Sequence, residues 1–257
     1  MTQEERLDYL VSHLLAERPG GGKIPVPEGR EERARLLRAL MNLRPPAPAS
    51  PEFLAVQDTY LQEETRRKGV TDLADLTPVR PRLYLWQGDI TTLRCDAIVN
   101  AANSQMLGCF VPCHGCIDNA IHSAAGLQLR LECARIMEKQ GTEEPAGRAK
   151  ITAGYNLPCR YVLHTVGPII HGLVTQRDRA LLAGCYRSCL ELAHSYALKS
   201  VAFCCISTGE FHFPNRPAAQ IAVQTVQDYQ REHPKGPEVI FNVFKDEDLA
   251  IYQELLG

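Results

Sequence analysis

The sequence predicts an α/β fold built on a layered sheet, preceded by a helical extension. Three observations carry that prediction. From Pro81 onward, short apolar runs alternate with stretches of helical period, as strands and helices do in layered folds. Residues 1–80 show only the helical period, interrupted by proline and glycine. Gly88-Asp89, the Asn100/Asn103 pair and Ser207-Thr208-Gly209 each follow directly on an apolar run. Ligand-binding loops of α/β sheets lie at such strand ends.

The elements follow in order. Leu7, Leu10, Val11, Leu14 and Leu15 form a helical stripe. A second helix is expected over 31–43, with Leu36, Leu37, Leu40 and Leu43 on one side, ended by Pro45-Pro46. A third spans 51–68 and closes on Arg66, Arg67 and Lys68, cations suited to a helix C-terminus, with Gly69 as its cap. Residues 1–80 are therefore expected to pack as a helical extension on a main domain covering 81–257. In that domain, strands are expected at 82–87, 96–100, 150–155, 161–166, 200–205 and 238–243. Helices are expected at 119–139, 178–198 and 217–232. Ile121, Ala125, Leu129, Cys133 and Ile136 form one face of the first of these helices.

Bulk properties narrow the function. A net charge of −2 over 257 residues gives no electrostatic basis for binding nucleic acid or an anionic membrane. The N-terminus is charged at once and lacks the apolar core of a secretory signal, and no apolar run is long enough to span a membrane. Ten cysteines without an export signal imply a reduced, cytoplasmic protein with most thiols buried and a few on metal.

Three strand-end loops carry polar chemistry. Asp89 either caps the turn at Thr91–Leu93 or accepts a hydrogen bond from an exocyclic amine. Asn100-Ala101-Ala102-Asn103 is either a structural turn or a close-approach site offering amide groups to sugar hydroxyls. Ser207 to Phe211 (STGEF) is either a tight packed loop or a cradle of backbone amides for phosphate.

The densest signal is Cys109, Cys113, His114 and Cys116, followed by Asp118, Asn119 and His122. Soft thiolates beside imidazole are zinc ligands. All the candidates sit on one loop, without a second separated pair, which favours a site with three protein ligands and an open position. Cys109, His114 and Cys116 are the expected set, binding one Zn2+ per chain. His114 and Cys116 flank Gly115 and can both turn inward. Cys113 is either outside the set or a fourth ligand that would make the site structural. His122, His164 and His212 read as packing histidines. Cys133, Cys159, Cys185 and Cys189 read as buried apolar residues, and Cys204-Cys205 as a poor chelating pair within a strand.

Taken together, GDIT, DAIVNAAN, C-IDNAIHSAAG, HTVGP and ISTGEF-F-P resemble the macrodomain family from about Pro81 to the C-terminus. The resemblance implies a three-layer α/β/α fold around a mixed sheet that binds ADP-ribose. By matched position, Asp89 and Ile90 meet adenine, and Asn103, Ile117 and Asp118 lie at the distal ribose. Ser207, Thr208, Gly209, Glu210 and Phe211 close over the phosphates, while Asn100 braces its turn. One departure stands out. The glycine run that precedes the V/I-D-x-x-I-H pattern in hydrolytic macrodomains is replaced here by the Cys/His cluster. That substitution, with the helical extension, resembles the microbial zinc-dependent branch. It implies a hydrolase that removes mono-ADP-ribose from acidic side chains of proteins. Asp118 and Asn103 are its catalytic residues, and a lipoyl-carrier protein modified by a sirtuin-type transferase is a partner. The alternative is a binding module that reads ADP-ribose without cleaving it, its zinc only structural.

Overall fold

A computed structural model describes all residues, Met1–Gly257. The helical extension comprises α1 (Gln3–Ala16), α2 (Arg30–Leu43) and α3 (Pro51–Lys68). Thr2 caps α1 through a reciprocal box with Glu5, and Ser50 caps α3 ahead of Pro51. The stripes of the three helices close on a cluster of their own, which includes Leu7, Leu10, Leu14, Leu37, Leu40, Phe53 and Tyr60. One residue from the following body, Leu127, completes that cluster.

The body begins with β1 (Thr71–Asp72), β2 (Pro78–Arg80), β3 (Leu83–Gln87), β4 (Leu93–Arg94) and β5 (Ala97–Ala102). Next come α4 (Ile117–Ala125), α5 (Leu127–Gln140), β6 (Ala149–Ala153), β7 (Tyr161–Val166) and α6 (Gln176–Ser195). β8 (Ser200–Phe203), α7 (Asn215–Glu232), β9 (Glu238–Val243) and α8 (Asp246–Leu256) complete the chain. Seven strands form one mixed sheet in the order β2-β3-β9-β8-β5-β7-β6, and β1 and β4 pair separately. From β3 across to β7 the pairing is parallel, and only the outer strands β2 and β6 run antiparallel. The central strands are apolar on both faces, as a sheet covered on both sides requires; Ile98, Val99, Val162, Leu163, Val201 and Ala202 are fully buried. Helices α6, α7 and α8 pack together as one flanking group, while α4 and α5 form the other and receive α2 and α3 on their outer side.

Two expectations need correction, and one helix was not expected. The helix expected over 119–139 is two helices, parted at Gly126, whose backbone (φ 97°, ψ 178°) is not helical. A Cβ at Gly126 would lie 2.6 Å from the Gln57 amide, so the break lets α3 approach the body. The strand expected to reach Cys205 ends at Phe203, which leaves Cys204 and Cys205 in the loop that follows. The closing helix α8 was not among the expected elements.

Candidate active site

The C-terminal ends of β3, β9, β8, β5 and β7 point the same way, because these strands are parallel. Their loops therefore meet along one edge. After β3, Asp89 Oδ1 accepts from the Thr91 amide at 3.0 Å and from its hydroxyl at 2.6 Å, so Asp89 is a turn cap. Its Oδ2 lies 3.2 Å from Lys68 Nζ, at the end of α3. Partial burial raises the Asp89 pKa, but Thr91 and Lys68 outweigh it and hold the carboxyl below its usual range. Ile90 beside it is buried. The sequence reading passed over Phe244, which follows β9 and is 76% exposed. Its carbonyl accepts from the Gln87 side chain at 3.3 Å, which places the Phe244 backbone beside the end of β3.

The loop after β8 is bent sharply. Ser207 (φ 65°) and His212 (φ 57°) take left-handed conformations, and Phe213 N donates to Ser207 O at 2.9 Å. The amides of Gly209, Glu210 and Phe211 donate to no protein group. They form an open row of donors suited to an anion. Ser207 Oγ is buried without a partner. The loop after β7 lies directly against it, since a Cβ on Gly167 would sit 2.0 Å from Ser207 Oγ.

Asp118 sits in the first turn of α4 and is 4% exposed. Asn100 Nδ2 donates to its Oδ1 at 2.8 Å, and Asn103 Nδ2 to its Oδ2 at 3.4 Å. Burial pushes the Asp118 carboxyl up to about 6, with the Asn100 hydrogen bond and the Arg130 charge opposing. Asn103 Oδ1 accepts from the amides of Gln105 and Met106, which fixes the amide orientation. Asn100 is fully buried and also contacts His164 Nδ1 at 3.2 Å. Asn100 lies within β5, so its side chain braces Asp118 and His164 and no turn.

Cys109, His114 and Cys116 converge, their ligand atoms all within 4.8 Å of one another. Cys109 Sγ is 3.7 Å from His114 Nδ1, and His114 Nε2 lies 3.5 Å from Glu210 in the β8 loop. Cys116 caps α4, accepting from Asn119 N. Burial, followed by the neighbouring Cys109 and Asp118, pushes the Cys116 thiol up to about 12. Two thiols, an imidazole and a half-exposed position are a donor set that fits zinc. Cys113 is not in the cluster. Its Sγ points to Arg35 O on α2, 3.3 Å away, and its own amide donates to Asn42 Oδ1.

A second group, His122, Cys133 and His164, satisfies the same distance criterion but is wholly buried. Asn100 donates to His164 Nδ1, so the ring proton is on Nε2, facing Thr152 Oγ1 at 2.9 Å. Burial drives the Cys133 thiol pKa upward and His164 down to about 3. Without a free lone pair on His164, the group does not fit a metal. A cavity of ≈ 560 Å³ lies elsewhere, between α1 and α2, lined by Leu14, Leu40, Leu43 and Arg44. The Arg44 side chain there is already engaged by Glu17 and by the carbonyls of Ala47 and Pro48.

Residues 99–222 match the Macro domain family. A protein-ADP-ribose hydrolase of Treponema medium is 56% identical, with the whole of both chains aligned. The chain belongs to the macrodomain family. Among solved macrodomains, that of Oceanobacillus iheyensis with ADP is 41% identical at a TM-score of 0.62, covering 68% of this chain and 89% of that one. The Trypanosoma brucei macrodomain in complex with ADP-ribose is 33% identical at a TM-score of 0.67, covering 85% and 95%. The macrodomain fold, with its mixed sheet, matches the fold expected from the sequence. Helices α1–α3 all precede the residues matched by the family.

Proposed function

We propose that this macrodomain is a hydrolase that releases mono-ADP-ribose from acidic side chains of proteins, with one Zn2+ held by Cys109, His114 and Cys116. The observation that carries the reading is the adjacency of a buried, amide-braced Asp118 to a half-exposed cluster of soft ligands. The names of its relatives, protein-ADP-ribose hydrolases, support it.

The chain's residues divide the ligand among them. Asp89 and Ile90 mark the adenine end, where the exposed Phe244 follows β9. The free amides of Gly209, Glu210 and Phe211 receive the pyrophosphate. Asn103, oriented by the Gln105 and Met106 amides, holds its Nδ2 between the Gly108 carbonyl and Asp118 at the distal-ribose end. Asp118, with a carboxyl pushed up to about 6, is ionised at neutral pH and still basic enough to accept a proton from an attacking water. Bound zinc would supply Lewis-acid polarisation at the same end of the cleft. Hydrolysis adds one water across the C1″–carboxylate bond and yields free ADP-ribose and the free acid.

The test offers proteins mono-ADP-ribosylated on Glu or Asp, and on Ser or Arg, with and without chelator, measuring metal content on the same sample. A lipoyl-carrier protein bearing the modification is the substrate to try first. Release from the acidic linkage alone, abolished by chelation and restored by zinc, is expected. Tight ADP-ribose binding without release would make the protein a binding module, and release unaffected by chelation would remove zinc from the reading.

A further inference from the structure

The loop from Gly108 to Cys116 contains no helix or strand, yet three of its side chains must meet at one point. Much of what fixes it comes from α2. Arg38 donates through Nε and Nη2 to Asn119 Oδ1, at 3.1 and 2.7 Å, and through Nη2 to the His114 carbonyl at 3.1 Å. Asn119 passes the constraint on, its Nδ2 donating to Val111 O at 2.9 Å. One turn along α2, Asn42 Oδ1 accepts from Cys113 N at 2.9 Å, while Asn42 Nδ2 donates to Ser123 of α4. The Cys113 thiol reaches back to Arg35 O. Cys113 sits at φ 54°, a left-handed conformation that a cysteine adopts only under external constraint. That turn aims His114 at Cys109 and Cys116.

The C-terminal end of α2 is pinned in turn. Arg130 of α5 donates to the carbonyls of Met41, Asn42 and Arg44 at 3.1, 2.7 and 2.6 Å. A cation in this position answers the unpaired carbonyls of a helix end. The same guanidinium donates to Leu107 O at 2.7 Å and lies 4.3 Å from the centre of the Phe110 ring, so it grips the start of the loop as well. Residues 30–43 lie outside the region that matches the Macro domain family. Helix α2 turns Arg38 and Asn42 toward this loop, while Arg30 and Arg33 on the same helix pair within the extension.

We infer that α2 is the template of the metal-binding loop, with Arg38 and Asn42 as positioning residues that set Cys109, His114 and Cys116 before any metal arrives. The inference rests on the zinc reading of that cluster. Its test compares wild type with Arg38→Ala, Arg38→Lys, Asn42→Ala and Arg33→Ala. Arg33 pairs with Glu4 and Asp8 inside the helical extension and does not touch the loop. Three readouts apply: amide exchange of residues 108–116 in metal-free protein, Zn2+ affinity by competition with a chromogenic chelator, and kcat alongside ADP-ribose affinity.

Arg38→Ala and Asn42→Ala should speed exchange in the loop while the strands stay protected, and should weaken Zn2+ binding by about 10- to 100-fold. They should lower kcat and leave ADP-ribose affinity unchanged. Arg38→Lys keeps a donor for the His114 carbonyl and should recover part of each effect. Arg33→Ala should lower thermal stability and leave all three readouts alone. Wild-type loop exchange and Zn2+ affinity in both alanine variants would overturn the inference, as would an Arg33→Ala variant that reproduces their effects. If the wild type itself binds no zinc, the functional reading fails instead, and the exchange data in metal-free protein still decide the role of α2.

Discussion

The two His/Cys groups, one on the loop and one beneath it, pass the same test of composition and distance and yet differ in kind. In Cys109, His114 and Cys116 the thiols and ring are half-exposed, and their near neighbours are mainly one another. In His122, Cys133 and His164 the atoms are sealed in, and both His164 ring nitrogens already have partners. The contrast shows that residue type and spacing do not make a metal site. A metal site also needs a path for the ion and a spare lone pair on every ligand, which His164 lacks.

The sharpest way to break the contrast is to remove one member from each group. Replacing His114 or Cys116 by Ala should weaken zinc retention by more than ~100-fold and reduce de-ADP-ribosylation to background. Cys133→Ala should leave metal content at wild-type level and cost about 1 kcal/mol from a small cavity. Metal analysis after dialysis, with a denaturant melt on the same samples, separates the outcomes; zinc lost from Cys133→Ala would mean that the buried group binds it.

Next in size is the carboxylate between the two groups. Asp118→Asn should lower kcat by about 10²- to 10⁴-fold, as expected for loss of a general base, while zinc content and ADP-ribose affinity persist. Single-turnover assays on an acid-linked substrate would measure this. An unchanged rate would reduce Asp118 to a structural neighbour of the metal loop.

The buried group should reveal itself through pH. Burial holds His164 down to about 3, below its ordinary 6.5, and lowers His122 in the same direction. Between those values the unfolded chain takes up protons that the folded chain refuses. Stability is therefore complete above pH 6.5 and falls with acidification by roughly 1.4 kcal/mol per pH unit for His164, with His122 acting in the same direction. Urea midpoints from pH 7 to 5 should follow that slope, and His164→Gln should flatten it. The smallest effect belongs to Cys113→Ser, which keeps its amide bond to Asn42 and should change zinc affinity little and stability by less than ~1 kcal/mol.

How far the sequence could be read follows the range of the forces involved. The strands and the order of their loops were legible because apolar runs ending in small polar residues are local patterns. The Cys/His cluster was legible because its members are close in sequence. The sequence left Cys113 out of the expected set but kept a fourth-ligand role open, because its contacts to Arg35 and Asn42 lie more than seventy residues upstream. Arg38 looked like any exposed helical cation, and its partner Asn119 is 81 residues away. The break at Gly126 was hidden because the stripe Ile121, Ala125, Leu129 and Cys133 keeps its four-residue spacing across it. Phe244 went unnoticed because a single exposed aromatic residue after a strand carries no pattern.

Gly108 joins the two groups and limits how either can evolve. It sits at φ 78°, and any Cβ there would fall 2.8 Å from the His122 ring. Positions 108 and 122 therefore vary as one unit: a side chain at the first is tolerable only with a smaller residue at the second, and even then against an unfavourable backbone. A designer who grafts this loop onto a glycine-rich relative must transplant the glycine together with the packing around His122, or the graft will not close.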